Sequence, residues 1–329
     1  MKKLFLSVLL SFSLFGESYS LGEGVKVGDE IPFYLGGYFS LNSTFSEGSQ
    51  LYELDDLAFL GYGESGAFSY LGELEFHQLY TEYRSDERTI STSNRSLYIE
   101  RLYLGYEFND LYSIKVGKYN SPVGFYNLMP INVLRATTSM PHLVEIIFPQ
   151  FMTGIYLKYD VYNENELEIN CLFQEGENLS EEYSNFNTNR YYALGIAYLK
   201  ESLSFKFDSG YFSNEEINTL EDNRFYLQLS SLYESDKVKL MAEVAIQFLT
   251  HQQKRQYAGF IESIYRVKPE HDLILRLESF KEYDKRQYSE VVVGYTYRPL
   301  YPVALKTEYQ YYIEDDDMNQ VVFSLSVLF

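Results

Sequence analysis

The sequence predicts an all-β protein, a transmembrane antiparallel β-barrel of sixteen strands. Three observations carry that expectation. Side chains alternate between polar and apolar along most of the chain, connections alternate between short and long, and the chain ends on an alternating apolar strand that stops at Phe329. A period of two marks strands, because successive side chains leave a strand on opposite faces.

The first residues read as an export leader. Lys2 and Lys3 precede an apolar stretch over 4–15, and Ser18 and Ser20 are small residues spaced like a cleavage site, which puts the cut after Ser20. Residues 1–20 are then the leader and 21–329 the barrel. No cysteine lies near the cut, which argues against a lipoprotein anchor. Beyond Ser20 there is no apolar run of about 18 residues, so no transmembrane helix is expected. A chain of low hydropathy still crosses a membrane if its strands close on themselves and pair every backbone group.

Composition fits this class. Tyr 34 and Phe 24 with no Trp is a heavy aromatic load, suited to rings that sit in lipid while hydroxyls reach the headgroups. A formal net charge of −20 argues against nucleic acid, whose binders carry a basic footprint. The single Cys171 excludes an internal disulfide and reads as a small apolar surface residue.

The expected strands are 33–45, 53–61, 67–81, 97–108, 112–119, 151–161, 165–174, 190–199, 202–213, 223–234, 237–249, 255–267, 271–280, 287–297, 302–312 and 319–329. Leu167, Ile169, Cys171 and Phe173 share one face against Glu166, Glu168 and Asn170; Val238, Leu240, Ala242, Val244, Ile246 and Phe248 form a row with Lys239, Glu243 and Gln247 between them. From the second strand on, every second connection is short (62–66, 109–111, 162–164, 200–201, 235–236, 268–270, 298–301), and the long ones (82–96, 120–150, 175–189, 214–222) all fall in the other set. Short periplasmic turns and long external loops are the rule for outer-membrane barrels, which puts both termini in the periplasm of a Gram-negative bacterium. The terminal strand agrees: Val321, Phe323, Leu325, Val327 and Phe329 resemble the closing signature that the barrel assembly machinery reads.

Several motifs have plain readings. The glycines of 61–66 match a dinucleotide fingerprint by letters, but that motif opens a helix, and here a strand follows, so a tight turn is expected. His77, His142, His251 and His271 are scattered without metal-ligand spacing, and no cofactor or metal is expected. No nucleophile-elbow motif appears. The acidic run at 314–317 reads as a solvated external loop, or as carboxylates that bridge divalent cations to lipopolysaccharide.

The connection 120–150 stands apart. It is rich in Leu, Ile, Val, Met and Phe, so it is not disordered by composition and should pack on something. Its only charges are Arg135 and Glu145, with His142 titratable. Where it begins, residues 116–125 read VGKYNSPVGF. This segment resembles the Gly-Lys-aromatic, Pro-x-Gly pattern of the phosphate-selective-porin-like branch of bacterial porins. The resemblance implies a water-filled channel for passive diffusion, a homotrimer, and a third external loop folded inward, with Arg135, His142 and Glu145 at the constriction. Phosphate selectivity in that branch rests on many basic pore residues, and this chain is acidic.

If the apolar rows face lipid, the alternate rows face the lumen. Its expected basic residues are Arg101, Lys115, Lys158, Lys206, Lys239, Arg266, Arg276 and Lys306. Its expected acidic ones are Glu73, Glu75, Glu107, Glu166, Glu168, Asp208, Glu243, Glu262, Glu278, Glu290 and Glu308. Such charges cost little in water, whereas Lys or Arg at the lipid midplane costs ~2–4 kcal/mol. The acidic excess predicts a mild preference for cations. An anion-selective porin of the phosphate type, a non-conducting surface-binding or structural barrel, and a barrel enzyme with Ser or Asp beside His at one rim are the alternatives. Lipid and lipopolysaccharide are the expected surroundings.

Overall fold

In a computed structural model the described residues are 19–20, 22–28, 32–162, 166–180, 185–214, 222–250 and 254–329. Sixteen long strands dominate: β1 (Phe33–Ser46), β2 (Ser49–Ser65), β3 (Phe68–Ser85), β4 (Leu97–Asn109), β5 (Tyr112–Asn120), β6 (Phe151–Tyr162), β7 (Glu166–Glu175) and β8 (Thr188–Lys200) come first. Then follow β9 (Leu203–Asn214), β10 (Asp222–Glu234), β11 (Val238–Leu249), β12 (Lys254–Lys268), β13 (His271–Lys281), β14 (Tyr288–Leu300), β15 (Val303–Tyr312) and β16 (Gln320–Leu328). Each pairs antiparallel with the next, and β16 pairs antiparallel with β1, from Gln320 opposite Ser46 to Leu328 opposite Tyr38. The sheet is thereby closed, without the edge that a membrane could not satisfy. Three short pieces are added: Tyr19–Ser20 pairs with Gly24–Val27, which pairs with β1, and Thr89–Thr92 pairs with β3. The remainder of the expected leader, 1–18, lies outside the described residues, as does His251.

The strands stand where alternation predicts them, with two differences. β2 and β3 are longer than expected, and the glycines of 61–66 are mostly strand: only Gly66, at φ +61°, occupies the turn. The chain before β1 crosses this stretch closely. A Cβ at Gly63 would lie 2.1 Å from the Pro32 carbonyl oxygen, and Tyr62 donates to the Glu23 carbonyl at 2.7 Å. Those glycines permit a backbone approach rather than a reversal.

Every connection longer than three residues falls at one end of the barrel, which also carries the two-residue β1–β2 turn; the other end holds only connections of two or three residues, together with the start of β1 and the end of β16. Two rows run through the wall. Leu229 lies opposite Val244, and Ile261 opposite Leu277, all exposed. Cys171 is exposed on the same kind of row. One residue along, Ser230 faces Glu243, Glu262 faces Arg276, and Glu278 faces Glu290, all buried.

Closure ends on Phe329. Its N–H donates to the Gly37 carbonyl at 2.7 Å and its carbonyl accepts from the Gly37 N–H at 2.8 Å. Its ring lies so close over Gly37 that a Cβ there would meet it at 2.7 Å. We expect Phe329→Ser to lower the amount of folded, heat-modifiable protein in the membrane fraction, because the ring that seats the seam is lost. A normal folded yield would remove the terminal ring as a determinant of assembly.

Candidate functional site

The segment between β5 and β6 is ordered by its apolar residues. It holds single turns at Tyr126–Leu128 and Asn132–Leu134 and a short helix, α1 (His142–Ile146). Leu143, Val144, Ile147 and Phe148 are buried against Tyr191, Phe212, Tyr226 and Phe260 of the wall. The Ser121 N–H donates to the Gln150 carbonyl at 2.8 Å, closing the neck of the segment. Asn185, on the next long connection, caps α1 by donating to the Glu145 and Phe148 carbonyls at 2.8 and 2.9 Å.

The rest of the anchoring is polar. The Gly124 N–H donates to Asp208 Oδ2 at 2.9 Å, and the Phe125 and Tyr126 N–H groups donate to Glu243 Oε1 at 2.7 and 3.0 Å. Gly124 is at φ +66°, and a Cβ there would lie 2.5 Å from Glu243 Oε2, so the Pro-x-Gly pattern has a local physical reason. Lys206 donates to the Pro122 and Gly124 carbonyls, and Lys306 to the Asn132 and Thr137 carbonyls. Glu308 accepts from Thr138 N–H and from Ser139 N–H and Oγ. Arg276 donates to Thr137 Oγ1 and Ser139 Oγ, each at 2.8 Å. Glu278 accepts from the His142 N–H at 2.9 Å. Every one of these wall side chains sits on the polar row, opposite the exposed apolar row.

This differs from the expectation that such charges stand in water. Lys206, Arg276, Lys306, Glu243, Glu262, Glu278 and Glu308 are all buried. They are matched to backbone groups of the 121–150 segment or to one another, which is how buried charge becomes tolerable. Others keep more water. Lys158 pairs with Asp160 at 2.7 Å, and Lys115 lies 4.3 Å from the Tyr103 ring centre. Glu166, Glu168 and Lys239 are half-buried, and Arg266 and Glu107 are exposed. Arg101 pairs with Glu73, which with Glu75 is buried on the opposite wall.

A cavity of about 430 Å³ remains between the segment and strands β1–β4. Arg135 and Glu145 both line it. His142 does not: its ring stacks on Phe280 at 3.8 Å, with Nδ1 3.4 Å from Glu278 and 3.5 Å from Glu290. Burial disfavours its charged form, but the Glu278 carboxylate beside the ring and the carboxylates around it outweigh that and hold the imidazole above its usual value. Opposite Arg135, the wall of the cavity is acidic, with Asp55, Asp56, Glu75 and Glu100.

Sequence reasoning missed most of that wall. His77 is not isolated: Nδ1 lies 3.5 Å from Asp56 and 3.8 Å from Asp55. The ladder registers shift between Phe39 and Leu41, between Leu54 and Asp56, and between Glu73 and Leu74. Bulges of this kind re-aim side chains. A signal was available, since Asp55-Asp56 and Glu100-Arg101 are adjacent charged pairs that break the alternation of their strands. Arg298 was also missed; it donates to the Val133 and Arg135 carbonyls. In the acidic run, Glu314 accepts from Ser289 N–H at 2.7 Å and Asp315 pairs with Arg286.

Comparison with solved structures finds the same fold at low identity. The outer membrane channel DcaP of Acinetobacter baumannii matches with TM-score 0.61 and 12% identity, over 93% of this chain and 99% of that one. An anion-selective porin from Comamonas acidovorans matches with TM-score 0.63 and 12% identity, over 91% and 100%. OmpF of Salmonella typhi, solved with daunomycin, matches with TM-score 0.61 and 11% identity, over 93% and 100%. A search of curated protein sequences returned no match. Residues 58–328, from within β2 to the end of β16, match the family described as "Putative beta-barrel porin-2, OmpL-like", so the chain belongs to that β-barrel porin family.

Proposed function

We propose that the protein is an outer-membrane channel through which small hydrophilic solutes and ions diffuse, with the 121–150 segment folded into the lumen as its constriction and a mild preference for cations. One observation carries this reading: in a closed barrel of sixteen strands, the exposed apolar row and the charged row are separated residue by residue. Sixteen strands leave room for an aqueous channel, where eight would be filled by side chains. The narrow part is then the cavity between the segment and β1–β4. Asp55, Asp56, Glu75, Glu100 and Glu145 there outnumber Arg135 and His77. Charges within a Debye length, ~8 Å in physiological salt, enrich the opposite ion without binding it. The fold itself does not set the sign of selectivity, because one structural neighbour is described as anion-selective. Reversal potentials across a salt gradient in planar bilayers test the reading. Cation preference is expected in the native protein and more of it in Arg135→Glu; strong anion preference would overturn it and favour the phosphate-type alternative, and absence of conductance would favour a surface-binding barrel.

The same proposal puts the long connections outside and both chain ends in the periplasm, and takes the assembly to be a homotrimer, a form reported for OmpT of Vibrio cholerae, a structural neighbour. A tag inserted at Ser91 should then be labelled on intact cells while one at Asp236, in a short turn, is not. Sedimentation in detergent should give a trimer; labelling at Asp236, or a monomer as the sole species, would remove the corresponding part.

A further inference from the structure

Three carboxyl groups converge on the acidic wall in a way that loop anchoring does not use. Glu73, Glu75 and Glu100 each place a carboxylate oxygen within 4.8 Å of the others, and all three are buried. Glu73 and Glu75 alternate along β3, and the register shift opposite Glu73 on β4 lets Glu100 join them while its neighbour Arg101 reaches Glu73. Tyr38 Oη, from β1, lies 2.8 Å from Glu75 Oε2 and 3.1 Å from Glu100 Oε2, so its one proton is shared between the two carboxyls. Arg101 occupies one oxygen of Glu73; the other, Oε1, is buried and has no hydrogen-bond partner among the described residues, on a side chain that is 0% exposed.

Charge makes this arrangement costly as it stands. With all three carboxyls ionised, the site would carry two more negative charges than the one guanidinium paired with it neutralises, and buried charge persists only when it is matched. Nothing from the 121–150 segment donates to these three, in contrast to Glu243, Glu278 and Glu308. Glu75, Glu100 and Tyr38 line the 430 Å³ cavity, so the site opens on the route taken by solutes.

We propose that Glu73, Glu75 and Glu100, with Tyr38 Oη beside them, hold one Ca²⁺ in the wall of the cavity. The ion would neutralise the excess of two charges and take the unpartnered oxygen of Glu73 as a ligand. Its ligand chemistry is that of a hard cation with oxygen donors. Oxygens that share one Ca²⁺ sit at ~2.3–2.6 Å from it and so within about 5 Å of one another, and the oxygens of this trio already lie within 4.8 Å of one another. Cavity water supplies the remaining coordination.

The test reads binding, not current, so it fails or succeeds independently of the channel reading. Full-length protein folded in detergent and stripped with a chelator is titrated calorimetrically with CaCl₂ at neutral pH. The native protein is expected to bind one more Ca²⁺ per chain than Glu75→Gln or Glu100→Gln, or to bind it an order of magnitude more tightly. Asp236→Asn, in an exposed turn, should behave as native. Equal Ca²⁺ binding by the native protein and both Gln variants would overturn the proposal. So would no Ca²⁺ binding at all, the outcome expected if two of the carboxyls carry protons instead. Should the Gln variants fail to give the heat-shifted band of a folded barrel, Tyr38→Phe decides. It removes no charge, and its Ca²⁺ affinity should fall severalfold; an unchanged affinity would count against the site.

Discussion

Replacing residues 127–145 with a Gly-Ser-Gly linker is expected to raise single-channel conductance severalfold while leaving the barrel folded. The wall holds itself together, since each of the sixteen strands pairs with both neighbours and none of those pairings involves the segment. The charges that the segment now covers would be returned to water, where they cost little. The linker is long enough. Tyr126 N–H and the Ile146 carbonyl both reach β11, at Glu243 and Gln247, which are about 13 Å apart along a strand, and four backbone steps span about that distance. What disappears is Arg135, Glu145 and α1, one whole side of the 430 Å³ cavity. Planar-bilayer recording of the heat-modifiable variant is the measurement. If conductance stays at the native value, the segment is not the constriction, and Arg135 and Glu145 lose their assignment with it.

The wall was legible in the sequence and its lining was not, for a reason that the residues make plain. Alternation is a local property: Glu243 between Ala242 and Val244 announces a strand and a polar face. What that carboxylate does depends on Gly124, more than a hundred residues away, whose N–H neighbours dock there. The apolar composition of 120–150 said that the segment packs, and it does, but not against which strands. Gly124 could be read as a pattern letter before the contact with Glu243 gave it a cause. The cavity wall was hidden differently. Asp55 and Asp56, or Glu100 and Arg101, look like noise in an alternating strand unless a bulge is assumed. Three register shifts on adjoining strands bring Ser40, Asp56 and Glu100 into one acidic surface around Tyr38. Histidine spacing failed for the same reason, since the Asp55, Asp56 and His77 grouping comes from cross-strand register, not from sequence separation.

Removing one charge from the knot under the segment should be far more disruptive than removing two. Arg276 has a fully buried side chain and pairs with Glu278 at 2.5 Å and Glu262 at 3.5 Å while donating to Thr137 and Ser139. Glu278 would survive its loss, because His142 still donates to it at 2.9 Å. Glu262 would not, because its hydrogen bond among the described residues comes from Arg276. Arg276→Met therefore leaves a buried carboxylate without a partner, a loss that costs ~3–5 kcal/mol in buried pairs. The cheapest relief is local: residues 137–139 lift from the wall and let water reach Glu262. A bias of that size changes the lifted population by roughly two to four orders of magnitude. Arg276→Met should show frequent fast closures in single-channel records and cleavage of the segment by protease added to the folded protein, while the native protein is expected to show neither. Arg276→Met with Glu262→Gln removes both members of the pair and leaves a neutral amide of the same shape, so most of the quiet, protected behaviour should return. Equal noise and equal cleavage in the single and double variants would mean that the hydrogen bonds to Thr137 and Ser139, and not the balance of buried charge, hold the segment down.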